Sequence, residues 1–209
     1  MPTPCNQLQT HLNSHPIFPS SQMTTYKNII TFIETDRLRL RQWIDDDRAL
    51  FAELNADPQN MEFFPSPILR SDSDIFIDKM IALIEENGWG LFSVEINETN
   101  EFIGFIGLAV PSYKTHFTPC TEIGWRLHKK YWGNGYATEG AKAVLNFAFN
   151  TLHKEEIVSF TSNLNIPSIS VMKRIGMTRD IQGDFEHPNV KDGHKLRHHV
   201  LYRINASEF

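Results

Sequence analysis

Cysteine is scarce: only Cys5 and Cys120 occur in 209 residues, in no spacing that suggests a zinc set. That excludes a disulfide-built fold and a thiolate metal centre, and a reducing cytoplasm suits such a chain. No apolar run reaches the ~20 residues of a membrane-spanning helix, and the first residues lack the layout of a secretory signal. Positive charge is not in excess either. With 20 Lys and Arg against 25 Asp and Glu, the net charge of −5 gives no reason to expect nucleic acid or an anionic membrane as partner. A Walker loop and a full G-x-G-x-x-G fingerprint are missing as well. What is present is a 41% hydrophobic fraction with 15 phenylalanines, enough for the core of one domain.

Residues 1–30, rich in Pro, Ser, Thr, Asn and Gln, read as a flexible extension, and residues 31–209 as a single domain. The domain opens on ETDRLRLRQW, where Leu38 and Leu40 alternate with Arg37, Arg39 and Arg41 as in a half-buried strand. The arginine row reads as a solvated face, with an anion-binding row as the lesser reading. Asp45 is placed to cap a short helix around Ala49, Leu50 and Leu54. A second helix over 73–86 would bury Phe76, Met80 and Leu83, and Gly88 would end it. Strands follow at 89–96, 101–110 and 120–128, then a helix at 135–152, a strand at 156–162, a helix at 166–175, and strands near 177–184 and 197–205. The order β-α-α-β-β-β-α-β-α-β-β describes an α/β (α+β) domain, one mixed and mostly antiparallel sheet flanked by helices.

Between the strand ending in Trp125, Arg126 and Leu127 and the helix carrying Ala141, Val144, Leu145 and Ala148 lies KKYWGNGYATEG. Gly133 and Gly135 therefore sit at a helix N-terminus, where unpaired N–H groups and the helix dipole favour an anion. Glycine would let the main chain come close to a phosphate, though the same pair also suits an ordinary tight turn. In NIPSISVMKRIGM, Asn165 is a helix cap, Pro167 a first-turn residue and Gly176 a terminator.

Taken together, ETDRLRLR, EIGWRL, WGNGYA, NIPSISVMKRIGM, FEHP and HHVLYRI resemble, in order over about residues 34–205, the Gcn5-related N-acetyltransferases (GNAT). Trp132 stands where most of that family has Arg or Gln, a departure shared with the RimJ/RimL subgroup that acetylates ribosomal-protein N-termini. The resemblance implies that acetyl-CoA lies where the strands 120–128 and 156–162 splay. Main-chain groups of Trp125, Arg126 and Leu127 would hold the pantetheine arm and polarise the thioester. Amides of Gly133, Asn134, Gly135, Tyr136, Ala137 and Thr138 would hold the pyrophosphate. Asn165 would reach the pantetheine, and Ser168 would lie near the thiol.

Amine acetylation needs a group that takes the ammonium proton. Glu122 is the carboxylate on the expected strand, although a surface glutamate would fit its position equally. Met172 falls where many relatives carry an acidic tyrosine, and Phe160 near the place of a base, so neither role is filled there. A thiolate, with a pKa near 8.5, leaves without much help. Neither cysteine lies in these motifs, so direct attack in a ternary complex is expected. The implied partners are acetyl-CoA and a primary amine, either a protein N-terminus or a small amine such as an antibiotic or polyamine. A non-catalytic acyl-CoA-binding module is the reading from another class. No metal is expected: His187, His194, His198 and His199 lack a metal spacing, and adjacent His198 and His199 should face opposite sides of a strand. Monomer and homodimer are equally compatible with the sequence.

Overall fold

Alternating leucine and arginine after Thr35 make a strand, but the sheet begins one strand earlier than the pattern predicts. A computed structural model of the protein describes residues 32–209, so the 1–30 extension lies outside the described residues. The elements are β1 (Phe32–Glu34), β2 (Leu38–Arg41), α1 (Asp47–Ala56), α2 (Arg70–Asn87), β3 (Leu91–Ile96), β4 (Phe102–Ala109), β5 (Glu122–Leu127), α3 (Tyr136–Asn150), β6 (Glu156–Ser162), α4 (Ile166–Arg174), β7 (Thr178–Glu186) and β8 (His198–Asn205). β1 is three residues long, too short to carry a periodic signal. The sheet order is β1-β2-β3-β4-β5-β6-β8-β7, and only the β5–β6 pair is parallel.

Helix α3 covers one face. Its Ala141, Val144, Leu145 and Ala148 are fully buried, as the spacing requires. Gly140 lets it come close, because a Cβ there would lie 2.5 Å from Ile106 Cδ1 of β4. Helices α1 and α2 cover the other face around Phe51, Phe76 and Phe105. With both faces covered, the middle of β4 is buried throughout rather than alternately. The inward face of α2 is Ile77, Met80 and Ile84, with Leu83 turned outward at 42% exposure and Phe76 at the margin of the core. Of the predicted stripe, Met80 is buried and Phe76 packs against the core, whereas Ile84 takes the inward place expected of Leu83.

The arginine row is a solvated face only in part: Arg37 stays exposed, whereas Arg41 is largely buried. Arg41 forks onto buried Asp47 at 2.8 and 2.9 Å and reaches Glu95 at 2.6 Å, while Arg39 meets the same Glu95 at 2.9 Å. Register explains Glu95, which lies opposite Arg39 on β3, and buried carboxylates persist only with such partners. Asp45 is also not the cap: α1 starts after Asp46 without a side-chain cap, and Asp45 accepts from Arg48 instead.

Candidate active site

Strands β5 and β6 share a single register pair, Glu122 with Val158. The Val158 N–H donates to Thr121 O at 3.0 Å and Ser159 Oγ to Ile123 O at 2.9 Å. Beyond that point the two strands separate, because β5 follows β4 along its length and β6 follows β8. A cleft of about 1400 Å³ runs through the gap. Which main-chain groups face it follows from alternation along the strand. The His128 N–H bonds to Ile103 O of the segment leading β4, so Arg126 and Gly124 also turn their main chain to β4. Trp125 and Leu127 turn theirs toward the cleft. Of the three residues expected there, Arg126 contributes its side chain to the cleft and its main chain to the sheet.

The loop after β5 closes one end. The Trp132 indole N–H donates to Leu127 O at 2.8 Å, satisfying a carbonyl that the separation of β6 leaves facing the gap. Gly133 and Gly135 have φ of 83° and 82°, the left-handed region that favours glycine, and a Cβ at Gly133 would meet nothing within 4 Å. Gly135 is the N-cap of α3 and supplies no side chain, so the first amides, those of Tyr136, Ala137 and Thr138, point outward at the cleft wall. Asn134 folds its amide back onto Tyr131 O at 3.0 Å.

Arg37, a residue the strand pattern gave no such place, fastens this loop. Its Nη1 donates to Asn134 O at 3.0 Å, its Nε to Glu139 Oε2 at 2.7 Å, and its guanidinium lies 4.7 Å from the Tyr136 ring centre. Its main-chain N–H and Thr35 Oγ1 both donate to Glu139 Oε1, at 3.0 and 2.6 Å. Partial burial opposes ionisation of Glu139, but these hydrogen bonds from Thr35 and Arg37 hold its carboxyl below the ordinary value. The one local signal is a first-turn glutamate at a helix that has no polar cap.

On the other lip, Asn165 caps α4: its Oδ1 accepts from Ser168 N at 3.2 Å and its Nδ2 donates to Thr161 Oγ1 at 2.9 Å. A side-chain amide has a second N–H, so both ties leave it a donor. Asn165, Ser168 and Met172 all line the cleft, Met172 from a position 1% exposed.

Glu122 is half-buried at the paired end of β5, beside Gly124, where a Cβ would stand 4.0 Å from its Oε1. Desolvation pushes its carboxyl up to about 8. Tyr113 and Cys120 lie within its electrostatic reach; burial, then the Glu122 charge, pushes the Cys120 thiol up to about 11. Such a thiol is a poor nucleophile at neutral pH. Beyond Glu122 stand Phe160, His187 and His199, with the two imidazoles 4.7 Å apart. Burial pushes His187 down to about 4 and His199 down as well, so both face the cleft neutral. His198 turns away to Glu186 at 3.0 Å, the opposite facing that adjacency predicts. Among the described residues no group of three His, Cys, Asp or Glu is arranged for a metal, and no helix is long and apolar enough to cross a membrane.

With this geometry in view, the relatives are consistent. The chain is 31% identical over 149 residues to the uncharacterized N-acetyltransferase YnaD of Bacillus subtilis, covering 71% of this chain and 83% of that one. It is 32% identical to the FsC-acetyl coenzyme A-N(2)-transacetylase of Aspergillus fumigatus, covering 70% of this chain and 64% of that one. The fold superposes on a GNAT-family acetyltransferase from Bacillus anthracis with a TM-score of 0.70 at 28% identity, over 85% of this chain and 99% of that one. Residues 37–178, from the loop-fastening arginine to the first residue of β7, match the model of the acetyltransferase (GNAT) domain, and the chain belongs to that family of N-acetyltransferases.

Proposed function

We propose that the protein transfers the acetyl group of acetyl-CoA to a primary amine by direct attack in a ternary complex, with the α-amine of a protein N-terminus as the acceptor class of the RimJ/RimL type. The observation that carries this reading is the separation of β5 from β6, which turns Trp125 and Leu127 main chain into a cleft ended by an uncapped helix N-terminus. A diphosphate-bearing donor suits that end: Gly133 and Gly135 present no side chain, and the amides of Gly133 to Thr138 lie in the loop and first turn at an uncapped helix N-terminus. The Trp125 and Leu127 main chain and the second N–H of Asn165 suit the amide-rich pantetheine arm. Bound acetyl-CoA supplies the thioester carbonyl that the amine attacks.

The chain's own groups then have defined tasks. The Trp125 N–H is placed to stabilise negative charge on the carbonyl oxygen. Glu122 in its ionised form takes the proton released as the C–N bond forms and the C–S bond breaks. Ser168, which lines the cleft, would lie near the leaving sulfur, while Met172 has no proton to give it. The raised thiol of Cys120 argues against an acyl-enzyme on that residue. The N-terminal acceptor draws support from Trp132 in the RimJ/RimL-like loop and from an α-amine being easier to deprotonate than a lysine, with pKa near 8 rather than about 10.4.

Gly135→Asp tests the donor site. Calorimetry should show CoA binding weakened at least about thirtyfold, since a carboxylate would face the diphosphate and draw Arg37 from Glu139. Unchanged affinity in the folded variant would remove the loop from the site. Tight acetyl-CoA binding with no turnover on peptides or small amines would identify a binding module instead.

A further inference from the structure

Strand register puts Glu122, Gly124 and Arg126 on the sheet face that carries α1 and α2. Phe160 falls on the same face through the Glu122–Val158 pair, and His199 and Phe185 through β8. One wall of the cleft on this face is therefore Phe160, His187 and His199, backed by Phe185, with Phe160–Phe185 and Phe185–His199 centroids 5.5 and 5.6 Å apart. Tyr113 seals it from behind, 4.8 Å from His187. Across the cleft, the Arg126 guanidinium lies 4.0 Å from the Phe64 ring centre and 5.4 Å from that of Phe105.

The charge inventory is short. Among the described residues the carboxylates lining the cleft are Glu122 and Glu139, and Glu139 is taken by Arg37 and Thr35. The lining cations are Arg37, Arg126 and Arg174. An acceptor's first amine has Glu122; a second ammonium would meet neutral imidazoles or the Arg126 guanidinium. Aromatic faces do attract a cation, but Phe64 and Phe105 already hold one.

Taking acetyl transfer to an amine as given, we propose that the acceptor is a primary amine carried on an aromatic or large apolar group and bearing no second cation, and that polyamines are poor acceptors. The ring of the acceptor packs against Phe160 and His199 while its amine reaches Glu122. Two sources share this chemistry: a small arylalkylamine, and a peptide whose first residue is aromatic.

The full-length protein with acetyl-CoA is assayed by thiol release against phenylethylamine, butylamine, spermidine, a phenylalanine-initiated tripeptide amide and its serine-initiated counterpart. The expected result is an aromatic acceptor exceeding its non-aromatic counterpart about tenfold or more in kcat/KM, with spermidine below butylamine. Preference for phenylethylamine assigns a small-molecule source, and preference for the phenylalanine peptide assigns a protein terminus. Equal rates for aromatic and aliphatic acceptors, spermidine among the best, or no turnover of either aromatic compound overturns the proposal. Phe160→Ala should narrow the aromatic-to-aliphatic ratio severalfold, and an unmoved ratio overturns this wall as the contact. Acetyl-CoA calorimetry separates the two levels. Binding and turnover without aromatic preference remove only the acceptor class, whereas absent binding removes the acetyltransferase reading with it.

Discussion

The loop side of the cleft is made of main chain, and the side facing it is made of side chains. At the loop, two left-handed glycines and an uncapped helix present amide groups, and what the neighbouring side chains do is hold that backbone still. On the aromatic side β8 is paired on both edges and β6 along the edge away from the gap, and rings with one carboxyl face the gap. The lesson concerns tolerance to change. A main-chain site accepts many side chains provided the glycines and fastenings stay, whereas a side-chain site changes character with each substitution.

Glu122→Gln strikes the side-chain half hardest. We expect kcat to fall on the order of a hundredfold, and the wild-type rise in kcat/KM as pH approaches about 8 to disappear. Stability should move the other way. Because the folded carboxyl titrates above its ordinary value, wild-type stability is fully present below that value and is lost as pH rises through about 8. The glutamine variant lacks this loss, so urea unfolding at pH 9 should find it on the order of 2 kcal/mol more stable relative to wild type than at pH 5. A variant that loses activity without this pH-dependent gain would mean that Glu122 is not a desolvated acid.

Arg37→Ala probes the main-chain half through its fastening. KM for acetyl-CoA should rise about tenfold with kcat within about twofold, since the loop loses its ties at Asn134 and Glu139. An acetyl-pantetheine donor, which has no diphosphate, should be used equally well by variant and wild type. Equal losses with both donors would make Arg37 a general structural residue.

The smallest effect should come from Trp132→Phe, which keeps a ring and removes only the N–H that satisfies Leu127 O. A net hydrogen bond of about 1 kcal/mol corresponds to a few-fold weaker CoA binding in calorimetry. A thirtyfold loss would give Trp132 a direct contact to the donor.

The same division explains what was legible in the sequence. Helix faces, the capped turn at Asn165 and the glycine loop are local patterns, set by residues a few positions apart, and the element order followed from them. On α2 the expectation held at Met80 but took Leu83 for the inward residue in place of Ile84, because adjacent apolar residues carry no local preference. Alternation placed Arg39 and Arg41 on one face, but Arg37 lies in the bend before β2 and turns to α3, and the partners Asp47, Glu95 and Glu139 all come from other elements. The aromatic wall was hidden for the same reason, being assembled from β6, β7, β8 and the segment around Tyr113.

One bond has a use of its own. The Arg37 amide proton donates to Glu139, a residue 102 positions away on the first turn of α3, so its exchange with solvent is a clock for the loop. Anything that steadies the helix terminus should slow that single amide, and anything that loosens it should hasten it. A hydrogen-exchange measurement on the peptide spanning β2 would thus report occupancy at the far end of this long-range fastening, with no need for an active-site label.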